Sequence, residues 1–210
     1  MTSQTVIFHI THINNLDNIL KSNGLHCITT IKSQNTIYKN IAHSGIQDVR
    51  ASTGVPVPPY GGLHDYVPFY FAPRSPMLYT INQGNVAGYS DGQDPIVYLV
   101  TTVEKIAKDS LPYCFTDGHG IMFFTSFYKD LKDLSEIDWK IMKEMYWADT
   151  LEDNDRKRRR QAEFLVHNFL PITSINWICT MNSTRKLEVE QLLQNYNINI
   201  PVHVKRNWYY

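Results

Sequence analysis

Apolar and polar positions alternate along residues 5–11, TVIFHIT. Val6, Phe8 and Ile10 fall on one face and Ile7, His9 and Thr11 on the other. A period of two is that of a strand. Leu16, Ile19 and Leu20 then form a helical stripe over 14–22, with Gly24 just past it to accept a left-handed cap. LHCITT (25–30) reads as a second strand. Patterning is weak over 31–62, and VPVPPYGG (55–62) excludes regular structure because proline removes donors. A long irregular loop of this kind is usually functional or mobile. VPFYFA (67–72) restores strand character. Ser75-Pro76 then starts a helix, with serine as N-cap and Met77, Leu78 and Ile81 on its apolar side. PIVYLVTT (95–102) is a strand, 103–109 a short helix and 113–116 another strand. Leu131, Leu134, Ile137, Ile141 and Met145 keep helical spacing across 127–147. The polar run at 149–160 reads as a loop or helix end. Strands at 161–166 and 175–180, a helix at 184–194 and a strand at 201–205 complete the chain. Strands and short helices mix without a βαβ rhythm, which predicts an α+β fold. No repeat or linker interrupts it, so 1–210 reads as one domain.

Composition narrows the class. The 210 residues are 43% hydrophobic and 19% charged, an ordinary globular balance. Lys+Arg and Asp+Glu are 20 each, so nucleic-acid binding would need a local basic patch. Cys27, Cys114 and Cys179 are odd in number and scattered. That argues against a disulfide framework or structural zinc and predicts a reducing compartment and no metal. MTSQTVIFHITH lacks the features of a signal peptide, and no apolar run is long enough to span a membrane. A cytoplasmic protein is expected.

Glu163 is the most pointed candidate. In QAEFLV, Gln161, Glu163 and Leu165 share one strand face and Ala162, Phe164 and Val166 the other. An inward carboxylate there must be paired or line a cleft; outward, it would be an edge charge that discourages aggregation. His9 and Tyr70 read equally as core residues or as ligand contacts. RKRRR (156–160) could meet phosphates, but Asp149, Glu152, Asp153 and Asp155 precede it, so a solvated loop stays open. No GxGxxG, GxxxxGK[ST], HExxH or GxSxG occurs. A Rossmann-type dinucleotide site is therefore not expected.

In order along the chain, FHITHINNLDNIL (8–20), IQDVR followed by VPVPP (46–59), LHDYVPFYFAPRSPMLY (63–79), FTDGHG (115–120), YWAD (146–149), QAEFLV (161–166) and WYY (208–210) resemble the DarT family. DarT proteins are bacterial toxins that ADP-ribosylate single-stranded DNA. FYFAPRSPMLY is also similar to the strand-helix unit of the poly-ADP-ribose polymerase branch. The resemblance implies an ADP-ribosyltransferase fold, with a split two-sheet β core, an NAD-binding cleft and peripheral helices. It implies that His9 bonds the adenosine-side ribose, that the backbone of Ile10 and Thr11 lies near the nicotinamide amide, and that Asn18 and His26 flank the groove. Tyr70 corresponds to the family's tyrosine, Glu163 to its catalytic glutamate and Arg50 to its functional arginine. Tyr79 would stack on nicotinamide.

The implied reaction breaks the nicotinamide–ribose bond, building positive charge that Glu163 would stabilise. The acceptor would be a thymidine base in single-stranded DNA, because a base must be unstacked to react. Arg50 would act on that base or on the NAD⁺ phosphates; a pKa above about 12 makes guanidinium a poor literal base. DNA contacts are expected from His119, Tyr146, Trp147, Arg158, Arg159 and Arg160, in the segment that precedes Glu163. The implied biology is a toxin paired with a macrodomain antitoxin, a DNA ADP-ribosyl glycohydrolase. Two alternatives remain: another acceptor (guanine, RNA or protein), or an inert nucleic-acid-binding module.

Overall fold

The computed structural model describes residues 4–210. The first three residues of the MTSQTVIFHITH stretch, where no signal peptide is read, lie outside them. The strands are β1 (Val6–His12), β2 (Gly24–His26), β3 (Tyr66–Tyr70), β4 (Ile96–Thr102), β5 (Tyr113–Thr116), β6 (Phe127–Tyr128), β7 (Glu163–His167), β8 (Phe169–Pro171), β9 (Trp177–Thr180) and β10 (Val202–Val204). The helices are α1 (Leu16–Lys21), α2 (Ile28–Ser33), α3 (Ser44–Ser52), α4 (Pro76–Asn82), α5 (Val103–Lys108), α6 (Trp139–Lys143), α7 (Arg156–Arg160) and α8 (Ser183–Asn195). An eight-stranded sheet runs β10-β9-β4-β1-β3-β7-β5-β6, and β2 pairs separately with β8. The fold is α+β.

The sheet is nearly two sheets. β1 matches β4 from Val6↔Thr102 to His12↔Ile96, and β3 matches β7 from Tyr66↔His167 to Tyr70↔Glu163. β1 meets β3 only at Phe8↔Tyr70, so the halves splay apart there. Pro68 sits at the splay. Its carbonyl accepts from His9 on β1, so its nitrogen faces the same gap and no ladder bond is lost to the missing N–H.

Strand alternation sends side chains to two unequal faces. Ile7, Val67, Phe69, Val97, Leu99, Phe164 and Val166 join one continuous core under α1, α5, α6 and α8. On the other face Phe8, Ile10, Tyr98 and Val100 form one cluster with α4, while Tyr66, Cys114 and Leu165 form another. A cleft opens between those two clusters.

Caps explain where several helices start. The Ser75 hydroxyl accepts from the Leu78 N–H at 3.2 Å, with Pro76 in the first turn. Thr102 and Asn182 cap α5 and α8 in the same way.

Four expectations change. The strand at 25–30 stops at His26, and Ile28–Ser33 is helical. Asn168, with φ of 61°, turns β7 into the three-residue β8, which leaves Cys27 onward no strand to pair with. The weak region 31–62 contains α3, whose Ile46 and Val49 are exposed, so no amphipathic stripe announces it. The helix expected over 127–147 is β6, a 3₁₀ turn over Leu131–Glu136 and the short α6. Ile137 is followed by Asp138, whose carboxylate caps a new helix at the Lys140 and Ile141 N–H groups. An i, i+3 apolar spacing serves a 3₁₀ turn as well as an α-helix. Finally, RKRRR is itself the helix α7.

Candidate active site

Two cavities of about 460 and 590 Å³ share His9, Gln47, Arg50 and Pro68, and so form one cleft across the splayed sheet. Both volumes lie in the range of small-molecule sites. The first reaches over Thr11, Asn15, Asn18 and His26; the second contains Ile10, Tyr70, His119 and Glu163.

Glu163 begins β7, directly opposite Tyr70, and only 2% of it is exposed. Its Oε1 accepts from Arg50 Nη1 at 2.7 Å and its Oε2 from the Gly120 N–H at 3.1 Å. Its own N–H donates to Thr116 Oγ1 at 3.0 Å. Burying an ion pair costs several kcal/mol per ion and is recovered only by good pairing, so this pair is weak evidence for a purely structural role. The Arg50 Nη2 group is buried without a partner, in a residue that lines both halves of the cleft. It is a donor open to a ligand. Gly120 is dictated by proximity: a Cβ there would sit 2.8 Å from Glu163 Oε2 and 3.4 Å from Leu63.

His9 Nδ1 lies 2.8 Å from the Pro68 carbonyl, which can only accept, so Nδ1 carries the hydrogen and Nε2 is a bare acceptor. Burial lowers its pKa from 6.5 to about 4, against the opposing pull of that hydrogen bond. His9 is therefore neutral near pH 7 and able to receive a ligand hydroxyl. Tyr70, half-buried with its hydroxyl 3.8 Å from Met77 Sδ, has its pKa raised by burial and then by Glu163. It stays protonated. Burial also lowers the pKa of His119, which lines the cleft beside Glu163.

In the other half of the cleft, Thr11 and Asn15 are buried. The Asn15 amide donates to Thr11 Oγ1 and to the Lys39 carbonyl, both at 3.0 Å, and accepts from the Lys39 N–H at 2.7 Å. Asn18 donates to the Ile37 carbonyl at 2.8 Å. These two asparagines hold the 37–40 segment over the pocket, so the Asn18 amide is already engaged. His26 lies against the Phe169 ring.

Several expected residues fall elsewhere. Tyr79 does not line the cleft. Pro76, Met77 and Thr80 do, and Tyr79, about 200° around the helix from Met77, makes edge contacts with Trp147 and Tyr210. Trp147 is packed inward, its indole N–H donating to Tyr210 Oη at 2.8 Å. Arg160 is buried, with its guanidinium on the carbonyls of Ile141, Met142, Glu144 and Pro73. Arg159 is taken by Asp138 and Asp153; Arg158 does line the cleft, but its guanidinium is paired with Asp155 and Asp117. The arginines of the basic run thus spend their charge internally. Among the described residues, Lys157 is the one cation of the run whose side chain has no hydrogen-bond or ion-pair partner, and it lines the cleft. Tyr146 is exposed.

Asn15, Gln47 and Gly120 carry no individual role in the sequence pattern, and Met77 figures there only on the apolar side of its helix. Gly120 had a signal, a glycine in FTDGHG just before the apolar run IMFF. The run itself exposes Met122, Phe123 and Phe124 beside the cleft. Among the described residues, no group of three or more His, Cys, Asp or Glu could hold a metal, and no helix is long and apolar enough to cross a membrane.

A splayed sheet carrying histidine, tyrosine and a buried glutamate in one cleft is the arrangement that the motif order implied. The family model described as ssDNA thymidine ADP-ribosyltransferase, DarT, matches residues 8–210. The chain belongs to the DarT family. It is a DNA ADP-ribosyltransferase with NAD⁺ as co-substrate. A DNA ADP-ribosyl transferase of Thermus aquaticus is 40% identical over 208 residues, covering 98% of this chain and 89% of that protein. The solved structure of Thermus sp. 2.9 DarT in complex with ADP-ribosylated ssDNA superposes with a TM-score of 0.92 at 39% identity, covering 98% and 96% of the two chains. The same DarT in complex with NAD⁺ gives 0.86 at 37% identity, covering 98% of each. A more distant DarT relative, from Thermosipho africanus, is a fusion of a DNA ADP-ribosyl transferase with a DNA ADP-ribosyl glycohydrolase. It is 27% identical over 92% of this chain and 47% of its own length.

Proposed function

We propose that this chain transfers ADP-ribose from NAD⁺ to a thymidine base in single-stranded DNA. The observation that carries this reading is the buried Glu163 carboxylate, oriented by Arg50 and the Gly120 N–H on the floor of the cleft. As the bond from ribose C1′ to nicotinamide breaks, nicotinamide leaves neutral and C1′ gains positive charge. Glu163 stabilises that charge and holds a ribose hydroxyl. In thymidine the only ring nitrogen bearing hydrogen is N3, so N3 bonds to C1′ and its proton passes to water. The free Nη2 donor of Arg50 favours the base anion that this requires. The Nε2 atom of His9 receives a hydroxyl of the other ribose, and the Ile10 and Thr11 backbone lies near the nicotinamide amide. Asn18 and His26 flank the adenosine half. Tyr146, with Met122, Phe123 and Phe124, offers exposed surfaces on which unstacked bases rest, and His119 closes the wall beside Glu163.

We read residues 1–210 as one transferase domain, acting in the cytoplasm as the toxin of a toxin–antitoxin pair. A macrodomain glycohydrolase that removes the mark is the natural antitoxin, a reading supported by the fused Thermosipho relative.

The test uses labelled NAD⁺ and a mixed-sequence single-stranded oligonucleotide. Wild type should transfer label to DNA, and Glu163→Ala should lose on the order of 10²–10³ in rate. Mass spectrometry should place the adduct on thymidine. Equal transfer by both proteins, or none by wild type, would overturn the reading. An adduct on guanine, RNA or protein would change the acceptor alone.

A further inference from the structure

Arg158 stands out because its charge is spent so completely. Its guanidinium grips Asp155 with two bonds, Nε to Oδ1 and Nη2 to Oδ2, each 2.7 Å. Nη1 reaches Asp117 Oδ1 at 3.1 Å and Thr125 Oγ1 at 3.4 Å. The same group lies 5.0 Å from the centre of the Phe124 ring. Its backbone carbonyl accepts from the His119 N–H at 3.1 Å.

Asp155 is the N-cap of α7; the other partners belong to one structure, the loop that joins β5 to β6. Asp117 and Ser126 form the neck: Asp117 Oδ1 also accepts from the Ser126 N–H at 2.9 Å. Thr125 Oγ1 donates to the His119 carbonyl at 2.9 Å, tying the far limb to the near one. Gly118 passes so close beneath Arg158 that a Cβ there would collide with the guanidinium. Two residues later, Gly120 gives its N–H to Glu163.

We propose that Arg158 is a positioning residue: it clamps the 117–126 loop to α7 so that the Gly120 N–H is fixed on the Glu163 carboxylate. A planar fork suits this because it satisfies Asp155 bidentately and still reaches across to Asp117 and Thr125; an ammonium cannot do both. The clamp links the loop that bears Met122, Phe123 and Phe124 to the group that stabilises charge on the ribose. The inference rests on the proposed DNA-modifying reading for its kinetic consequences, but not for the order of the loop.

Wild type is compared with Arg158→Ala, Arg158→Lys and Asp155→Asn. The measurements are transfer kinetics, the salt dependence of single-stranded DNA binding and amide hydrogen exchange. Each variant should exchange the 118–126 amides faster. In Arg158→Ala and Asp155→Asn, kcat should fall about tenfold or more, KM for NAD⁺ should change less than twofold, and Arg158→Lys should recover only part of the loss. The salt slope should stay that of wild type. If Arg158 were instead a phosphate ligand, Arg158→Ala would lower the slope by about 0.7, the value for one single-strand contact. Asp155→Asn would then tighten DNA binding. That pair of results overturns the proposal, as does unchanged loop exchange or unchanged kcat in Arg158→Ala. If Arg158→Ala does not fold, Arg158→Lys and Asp155→Asn decide. Wild type that leaves DNA unmodified would sink the functional reading alone, and the exchange measurement would still judge the clamp.

Discussion

His9 shows how one hydrogen bond fixes a residue's chemistry. With its proton on Nδ1, committed to the Pro68 carbonyl, its Nε2 can only accept. Its pKa, lowered from 6.5 to about 4, has a thermodynamic consequence. Between those values the unfolded chain binds a proton that the folded one refuses, so stability rises with pH across the window. Conversely, it is lost as pH falls from 6.5 toward about 4. The full effect is roughly 3 kcal/mol at 1.36 kcal/mol per unit. His12 and His119, also lowered by burial, add in the same direction. Denaturant titrations at pH 7 and pH 4.5 should show this acid loss, and His9→Gln should remove the largest share. A His9→Gln protein as acid-sensitive as wild type would assign the loss to the other buried groups, with His64, lowered in the same way, among them. The sequence placed His9 correctly on its strand but left the proton's position open, because the acceptor lies 59 residues away in Pro68.

At the scale of elements, α7 is the instructive case. Five consecutive basic residues read as a phosphate-binding run or as a solvated loop. The structure makes them a short helix whose arginines are consumed by carboxylates and backbone carbonyls. The preceding acids, Asp153 and Asp155, supply much of that pairing, so the near-zero local charge visible in the sequence was informative. What the sequence could not say is which cation is left over. Lys157 lines the cleft, and its ammonium has no hydrogen-bond or ion-pair partner among the described residues. Lys157→Ala should therefore weaken single-stranded DNA binding and reduce the salt slope by about 0.7, whereas Arg160→Lys should leave the slope unchanged. Binding measured from low to moderate salt checks this, and an unaltered slope in Lys157→Ala would return the residue to solvent. The 127–147 segment has the same moral. Its apolar spacing predicts one helix, but the structure breaks it into a 3₁₀ turn and the short α6.

For the whole molecule, the last residues close the cluster on the cleft side of the sheet. Tyr209 is buried, its hydroxyl donating to the Ile96 carbonyl at 2.8 Å while its ring meets Tyr98 edge-on. Tyr98 Oη donates to the Trp208 carbonyl at 2.8 Å, and Tyr210 Oη donates to the Arg74 carbonyl at 2.6 Å. The terminus thereby braces the strand-helix joint that carries Tyr70 and Met77. Tyr209→Ala should cost about 3–5 kcal/mol, the range for emptying a buried aromatic site. Equilibrium unfolding measures it; a cost below about 1 kcal/mol would show that the terminus merely rests on the core.

The sequence by itself determined the strand faces, the capped helices and the order of motifs that placed His9, Arg50, Tyr70 and Glu163 in one functional set. The faces and caps are local, written in periods of two and 3.6 and in residue types a few positions apart, whereas the functional set rests on the resemblance of those motifs, in order, to the DarT family. Only the tertiary structure decided that the sheet splays at Phe8↔Tyr70, that Tyr79 turns away from the cleft, and that Arg158 grips a loop while Lys157 does not. Each depends on partners far apart along the chain, such as the Arg50–Glu163 pair 113 residues apart, and no local pattern records such a meeting. Glu163 spans both kinds of knowledge. The strand pattern set which face it occupies, and the folded chain supplied the two donors that make it a site.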